Sequence, residues 1–193
     1  MKTSKISDEI LIKQFQNGDR TSYNELVFRY KDKILNFLFR FMHDLHMAED
    51  LAQETFLKVY IKKDSYKEIS KFSTWLYTIA SNLAKTELRK IKRRRTSFIS
   101  HITQDGKEHN YFIDDSSNND RIIDNNENKV LHESIHALED DFRTIIILRE
   151  IQELSYENIS KILKLPLGTV KSRINRGKLK LREILINKGV KSI

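Results

Sequence analysis

Between Thr169 and Arg176, six side chains carry hydrogen-bond donors within little more than two helical turns: Thr169, Lys171, Ser172, Arg173, Asn175 and Arg176. Lys171, Ser172, Asn175 and Arg176 fall on one outward face at helical spacing, opposite Val170, Ile174 and Leu181. Guanidinium and amide groups in such a row can bond base edges in a major groove, and ammonium groups can hold phosphates. A second set runs from Ser70, Lys71 and Phe72 through Trp75 and Asn82 to Lys85, Arg89, Lys92 and Arg93. Aromatic side chains followed by cations are what unpaired bases and their backbone need. A third set, Asp50, Gln53 and Glu54, puts acceptors on one helix face. Enzymatic chemistry finds no such grouping. The chain has no cysteine, its six histidines and its carboxylates form no metal-spaced or nucleophile–base cluster, and there is no phosphate-binding glycine loop. No cofactor and no catalytic activity are expected.

These groups need helices to position them, and the composition favours helices. One proline, five glycines and abundant Leu, Ile, Lys and Glu point to an all-α protein. Ser7 can cap a short helix carrying Ile10, Leu11 and Phe15 that Asn17–Gly18 ends. Ser22 with Glu25 fits a capping box before Tyr23, Leu26, Val27, Tyr30, Ile34, Leu38 and Phe41, one long amphipathic helix. A third helix covers about Met47 to Ile61, and a polar loop, Lys62 to Lys71, leads to a fourth from Phe72 through the basic run Lys90 to Arg95. Leu76, Ile79, Ala80, Leu83 and Ile91 form its apolar stripe. Further on, helices are expected around Lys129–Leu138 and Phe142–Ile151, another capped by Ser155, and a last one from Gly168 to Leu185. Residues 155 to 176 therefore read as helix, tight break, helix, with Ser160 small at the crossing and Pro166 and Gly168 at the break. That is the helix-turn-helix pattern. A plain helical hairpin with a solvated basic face is the alternative reading of the same residues.

Charge divides the chain. Residues 1–96 hold 20 Lys and Arg against 12 Asp and Glu, residues 97–128 hold 2 against 7, and residues 129–193 hold 13 against 8. Two basic helical blocks, 1–96 and 127–193, are expected to flank a flexible acidic linker at 97–126 that includes Asp114, Asp115 and Asp120. The net charge of +8 suits a polyanionic partner. The amino terminus has no long apolar stretch and no later run approaches a membrane span, so a soluble cytoplasmic protein without membrane insertion is expected.

Four motifs carry a family resemblance: Ala48-Glu49-Asp50-Leu51-Ala52-Gln53-Glu54-Thr55-Phe56, Phe72-Ser73-Thr74-Trp75-Leu76-Tyr77-Thr78-Ile79-Ala80-Ser81-Asn82, Leu154-Ser155-Tyr156-Glu157-Asn158-Ile159, and Pro166-Leu167-Gly168-Thr169-Val170-Lys171-Ser172-Arg173. In this order they closely resemble the extracytoplasmic-function (ECF) sigma factors, and the match covers nearly the whole chain. The resemblance implies that the first block recognises the minus-ten element and helps open it, while the second reads the minus-thirty-five element as duplex. It implies core RNA polymerase as partner through the β′ clamp helices and the β flap, promoter DNA as ligand, and an anti-sigma factor as a family expectation. Asp50, Gln53 and Glu54 match the family's docking surface for the β′ clamp, and the acidic middle would thread the polymerase cleft. For an extruded base it directs attention to Ser70, Lys71 and Phe72 with Asn82 nearby, and for the backbone to Lys85, Arg89, Lys92 and Arg93. Two positions depart from the family pattern: Gly177 where alanine is frequent, and Lys164 in a turn where glycine is common. The rival from another class is a stand-alone helix-turn-helix regulator whose first block senses a signal or dimerises.

Overall fold

The computed structural model describes residues 6–102 and 126–190, without side-chain detail at 95, 97–102 and 126–128. Eight α-helices account for most of them: α1 (Asp8–Gln16), α2 (Arg20–Met42), α3 (Leu45–Ile61), α4 (Phe72–Ile102), α5 (Asn126–His136), α6 (Asp140–Ile146), α7 (Tyr156–Leu163) and α8 (Leu167–Asn187). No strand occurs among the described residues, and the chain is all-helical.

Local chemistry sets most of the helix ends. The Ser7 hydroxyl accepts from the Ile10 amide at 3.3 Å, and Gly18 follows α1 at a φ of +104° that disfavours other residues. The start of α2 differs from the capping box expected at Ser22. Asp19 is the cap, its carboxylate accepting from the Thr21 amide at 2.9 Å, and Ser22 instead donates to Asp19 from inside the helix. A carboxylate beside a helix N-terminus meets unpaired amides and a favourable dipole together. On α1, Ile10 is half-exposed while Ile12 is fully buried.

α1 to α4 enclose a core of Ile12, Phe15, Leu26, Ile34, Phe37, Leu38, Ala48, Val59, Phe72 and Leu76. α5 to α8 enclose Ile135, Leu138, Ile145 to Leu148, Ile159, Val170 and Ile174. A π-helical turn, Ile147–Ile151, extends α6 and allows its last apolar residues to turn inward.

Two features qualify where the blocks end and how they meet. α4 runs on to Ile102, six residues into the stretch expected to be linker. The linker expectation otherwise falls on 103–125, outside the described residues. More importantly, the two cores are continuous. Phe39 of α2 is buried because His132 of α5 stacks on it at 4.6 Å, the Tyr77 hydroxyl of α4 donates to the side-chain oxygen of Gln152, and the Arg143 guanidinium of α6 donates to the Phe41 carbonyl at 3.4 Å. An exposed phenylalanine ring is costly in water, so the second bundle supplies the cover that the first lacks.

Candidate nucleic-acid interface

The helix-turn-helix is built almost entirely from its own segment. Ser155 caps α7, accepting from the Asn158 amide at 3.2 Å. Lys164 ends α7 in the left-handed region at φ +54°, which explains why glycine suits this turn in the family and why lysine carries some strain here. Ser160 clamps the turn from below, its hydroxyl donating to the Leu165 carbonyl at 2.5 Å while its carbonyl accepts from the Leu165 amide at 3.1 Å. Ile159, Ile162, Val170 and Ile174 are buried and set the crossing of α7 on α8. Gly177 is a packing requirement. A Cβ there would stand 2.9 Å from the Ile146 Cγ1, so the helix propensity forgone allows α6 to approach α8.

This packing leaves Lys171, Ser172, Asn175 and Arg176 exposed on one face of α8. Thr169 is half-buried at its start, its carbonyl accepting from Ser172 at 3.1 Å. Arg173 stands apart. It lies on the flank of α8 and pairs with Asp141 of α6 at 3.0 Å, so it is not part of the free face.

The loop between α3 and α4 depends on distant chemistry. The Gln16 amide donates to the carbonyls of Lys63 at 2.7 Å and Tyr66 at 3.1 Å, and the Lys63 ammonium donates back to the carbonyls of Phe15 at 3.0 Å and Gln16 at 3.2 Å. The Tyr66 hydroxyl donates to the Ser70 carbonyl at 2.8 Å, and Glu9 accepts from the Phe72 amide at 3.2 Å. α1 thus straps the loop at both ends. What projects is Ile69, 80% exposed, between Lys67 and the exposed Lys71.

Two expectations for this region need correction. The Phe72 side chain is fully buried, edge-on to Tyr30 at 5.6 Å, so it shapes the loop from beneath and offers no surface to a base. Asn82 is not beside Ser70 and Lys71. It lies ten residues, about 15 Å, along α4 from Phe72 and lines a cleft of 320 Å³ against Glu54, Lys58 and Lys62 of the α3 side. Trp75 is half-buried against Tyr66 at 5.4 Å, with part of its ring open. Arg89, Lys92 and Arg93 are exposed, whereas Lys85 is half-buried, and its desolvation lowers its pKa below the usual lysine value.

Asp50, Gln53 and Glu54 are exposed together on α3, with Glu54 paired to Lys58 at 3.1 Å. The same flank continues one and two turns on as Leu57 and Ile61, both more than half exposed. Sequence reasoning passed over these two. The available signal was two large apolar residues off the stripe that Leu51, Thr55 and Val59 bury.

The order of these surfaces along the chain coincides with two family models: sigma-70 region 2 matches residues 26–95, and sigma-70 region 4 matches residues 129–181. The RNA polymerase sigma-H factor of Pseudomonas aeruginosa is 37% identical over 89% of this chain and 90% of its own length. The ECF RNA polymerase sigma factor SigW of Bacillus subtilis is 36% identical over 90% of this chain and 94% of its own. This chain belongs to the ECF RNA polymerase sigma factors. The fold agrees: the structure of CnrH in complex with the cytosolic domain of CnrY superposes with a TM-score of 0.69 at 20% identity, covering 93% of this chain and 97% of that one.

As an ECF sigma factor, the chain is a DNA-binding subunit that associates with core RNA polymerase and directs promoter-specific transcription initiation. The stand-alone regulator is thereby set aside, since it accounts for the second block alone. Among the described residues no group of His, Cys, Asp or Glu could hold a metal ion, and no helix is long and apolar enough to cross a membrane.

Proposed function

We propose that the sigma factor divides promoter recognition between its two bundles. The exposed face of α8, with Lys171, Ser172, Asn175 and Arg176, enters the major groove of the minus-thirty-five element, with Thr169 at its edge. The strapped loop, through Ser70, Lys71 and the open part of Trp75, receives an unpaired base of the minus-ten strand, and Arg89, Lys92 and Arg93 with Lys85 follow its backbone. Asp50, Gln53 and Glu54, extended by Leu57 and Ile61, dock on the β′ clamp helices, and the second bundle meets the β flap. The observation that carries this reading is the loop's anchorage. Five side-chain bonds to backbone groups, from Gln16, Lys63 and Tyr66, hold a short segment still while its tip stays exposed. A polar loop tied down in this way is preorganised to receive a ligand, because its ordering entropy is already lost.

Base extrusion costs a few kcal/mol, and a rigid pocket returns that amount only once the strand is open. The second bundle binds duplex first and sets the first over the segment to be opened. The chain acts without catalytic groups of its own, in the cytoplasm where core polymerase resides. An anti-sigma factor is a natural partner, since the sigma factor RpoE of Bartonella quintana, a structural neighbour, was solved with the anti-sigma factor NepR. In vitro transcription from a promoter library, with core polymerase and with or without this protein, tests the reading. Promoter-specific transcripts that require the protein are expected. Transcripts that lose specificity when the loop residues Ser70 and Lys71 are replaced by alanine, while minus-thirty-five duplex binding is retained, support the division of labour; equal loss at both elements refutes it.

A further inference from the structure

A cavity of 570 Å³ opens where α2, the start of α4 and the turn after the π-helical segment meet. Its donors come mainly from α2, where Lys33, Asn36 and Arg40 recur at steps of three and four and so stand in one row about 10 Å long. Ser73, in the first turn of α4, adds a hydroxyl at a helix start, where the dipole is positive. From the second bundle, Ile151 and Leu154 contribute apolar surface.

The charges in this row are uncompensated. Among the described residues neither Lys33 nor Arg40 forms an ion pair with a carboxylate, and the Lys33 ammonium lies over the Tyr30 ring at 5.4 Å instead. Arg40 is half-buried, and desolvation lowers its pKa below the usual arginine value with no nearby anion opposing the shift. Taking a guanidinium out of water without an anion is costly, and an anion that enters beside it offsets that cost. His132 also lines the cavity, but burial holds it neutral at pH 7, so the positive charge belongs to Lys33 and Arg40. The wall opposite is fixed. Glu153 is exposed there in the left-handed region at φ +52°, a strained conformation for a side chain of its size. Its neighbour Leu154 is tied on both sides, its amide donating to the Leu148 carbonyl at 3.1 Å and its carbonyl accepting from Arg149 at 2.9 Å.

We propose that this cavity binds a small molecule of nucleoside diphosphate type, its phosphoryl oxygens on Lys33, Asn36, Arg40 and Ser73 and its apolar part against Ile151 and Leu154. Two cations two helical turns apart fit two adjacent phosphoryl groups better than a single carboxylate, and a guanidinium takes a pair of phosphate oxygens in one plane. The volume falls in the range of small-molecule sites. Lys33 and Arg40 belong neither to the surface proposed for DNA nor to the one proposed for polymerase, so the site stands apart from both.

Calorimetric titration of the full chain with adenosine diphosphate, inorganic pyrophosphate and adenosine, at about 150 mM salt to screen weak surface attraction, tests the site. A single equivalent of adenosine diphosphate is expected to bind, more tightly than pyrophosphate, while adenosine gives no heat. Arg40→Gln and Lys33→Gln should each weaken adenosine diphosphate by about tenfold or more, the effect of one charge-assisted hydrogen bond. Lys161→Gln, which removes an exposed cation on α7, should leave the affinity unchanged. Lys33 is exposed, so Lys33→Gln decides the matter if Arg40→Gln fails to fold. Absence of binding overturns the proposal. So does an equal loss in Lys33→Gln and Lys161→Gln, which is the general attraction of a basic protein for a polyanion. Pyrophosphate that binds as tightly as adenosine diphosphate overturns the role given to Ile151 and Leu154.

Discussion

The two regions proposed to face DNA are built by opposite means. The helix-turn-helix is local: its cap, its clamp at Ser160 and its apolar contacts at Ile159, Val170 and Ile174 all lie within residues 155–176, while Gly177 against Ile146 and Arg173 against Asp141 seat it on α6. The α3–α4 loop is non-local, held by Glu9, Gln16 and the carbonyl of Phe15 from about fifty residues away. A regular helix presents its side chains by periodicity alone, so a reading face can be made from one segment. A loop has no such repeat, and its shape must be imposed from elsewhere. The difference teaches where each surface is vulnerable: the recognition helix through its own exposed side chains, the loop through its distant supports.

The sharpest separation of the bundles comes from Asp50→Arg. If the proposed docking face on α3 holds, reversing a charge within it costs several kcal/mol, so core polymerase affinity should fall by a hundredfold or more, about 3 kcal/mol, with minus-thirty-five duplex binding unchanged. Competition binding to core polymerase checks it, and unchanged affinity would remove α3 from the docking surface.

Acid should act on the packing between the bundles. His132 is held neutral, its pKa lowered to about 3 by burial first and then by His43, Arg40 and His136. The neighbouring His43, whose Nδ1 lies 3.0 Å from that of His132, is lowered too, by burial, with Arg143, Lys129 and Lys188 adding to the effect and Glu133 opposing it. Because the unfolded value is near 6.5, the unfolded chain binds the proton first. The stability from this site is therefore complete above pH 6.5 and is lost as pH falls from there toward 3, at about 1.4 kcal/mol per pH unit. Thermal melts at pH 7.5 and 5.0 should differ by about 2 kcal/mol more in the native sequence than in His132→Phe; equal acid sensitivity would exclude His132 as the source.

Arg176→Ala probes the self-contained surface. A base contact is worth about 1–3 kcal/mol, so discrimination between cognate and altered minus-thirty-five duplexes should shrink by roughly tenfold or more, with open-complex formation on a pre-melted template retained. A uniform loss on all sequences would demote Arg176 to a phosphate contact. Gln16→Ala probes the borrowed support. Losing two loop bonds costs about 1–2 kcal/mol, and it should slow strand opening, followed by fluorescence of a base analogue in the minus-ten element, while leaving duplex binding intact. The smallest effect is expected at Lys164→Gly, which relieves a left-handed lysine and should raise the melting temperature by an amount equivalent to about 0.5–1 kcal/mol without altering DNA selectivity.

Much of this molecule was legible from residue order. Caps at Ser7 and Ser155, apolar spacing along α2 and α4, and the break between α7 and α8 are written in neighbours a few positions apart, and helix formation depends on such neighbours. The shared exposure of Lys171, Ser172, Asn175 and Arg176 on α8 followed for the same reason. The start of α2 was misassigned because Ser22 and Asp19 both carry cap chemistry, and only the bonds formed decide between them. At Phe72, position in the motif suggested a base contact, but burial is a property of everything packed around a side chain, and α1 and α2 close over this one.

The sequence by itself determined an all-helical chain with a helix-turn-helix near its end, a basic first block and an ordered set of sigma-factor motifs, because these reside in local periodicity, composition and spacing. Only the tertiary structure decided that Arg173 answers Asp141, that Lys92 answers Asp140, that Gly177 admits Ile146 and that His132 covers Phe39. Those pairings join residues about 30 to 90 positions apart. Which of many equivalent charges and rings meet at such separations is set by how whole helices pack, and no short stretch of residues carries that information.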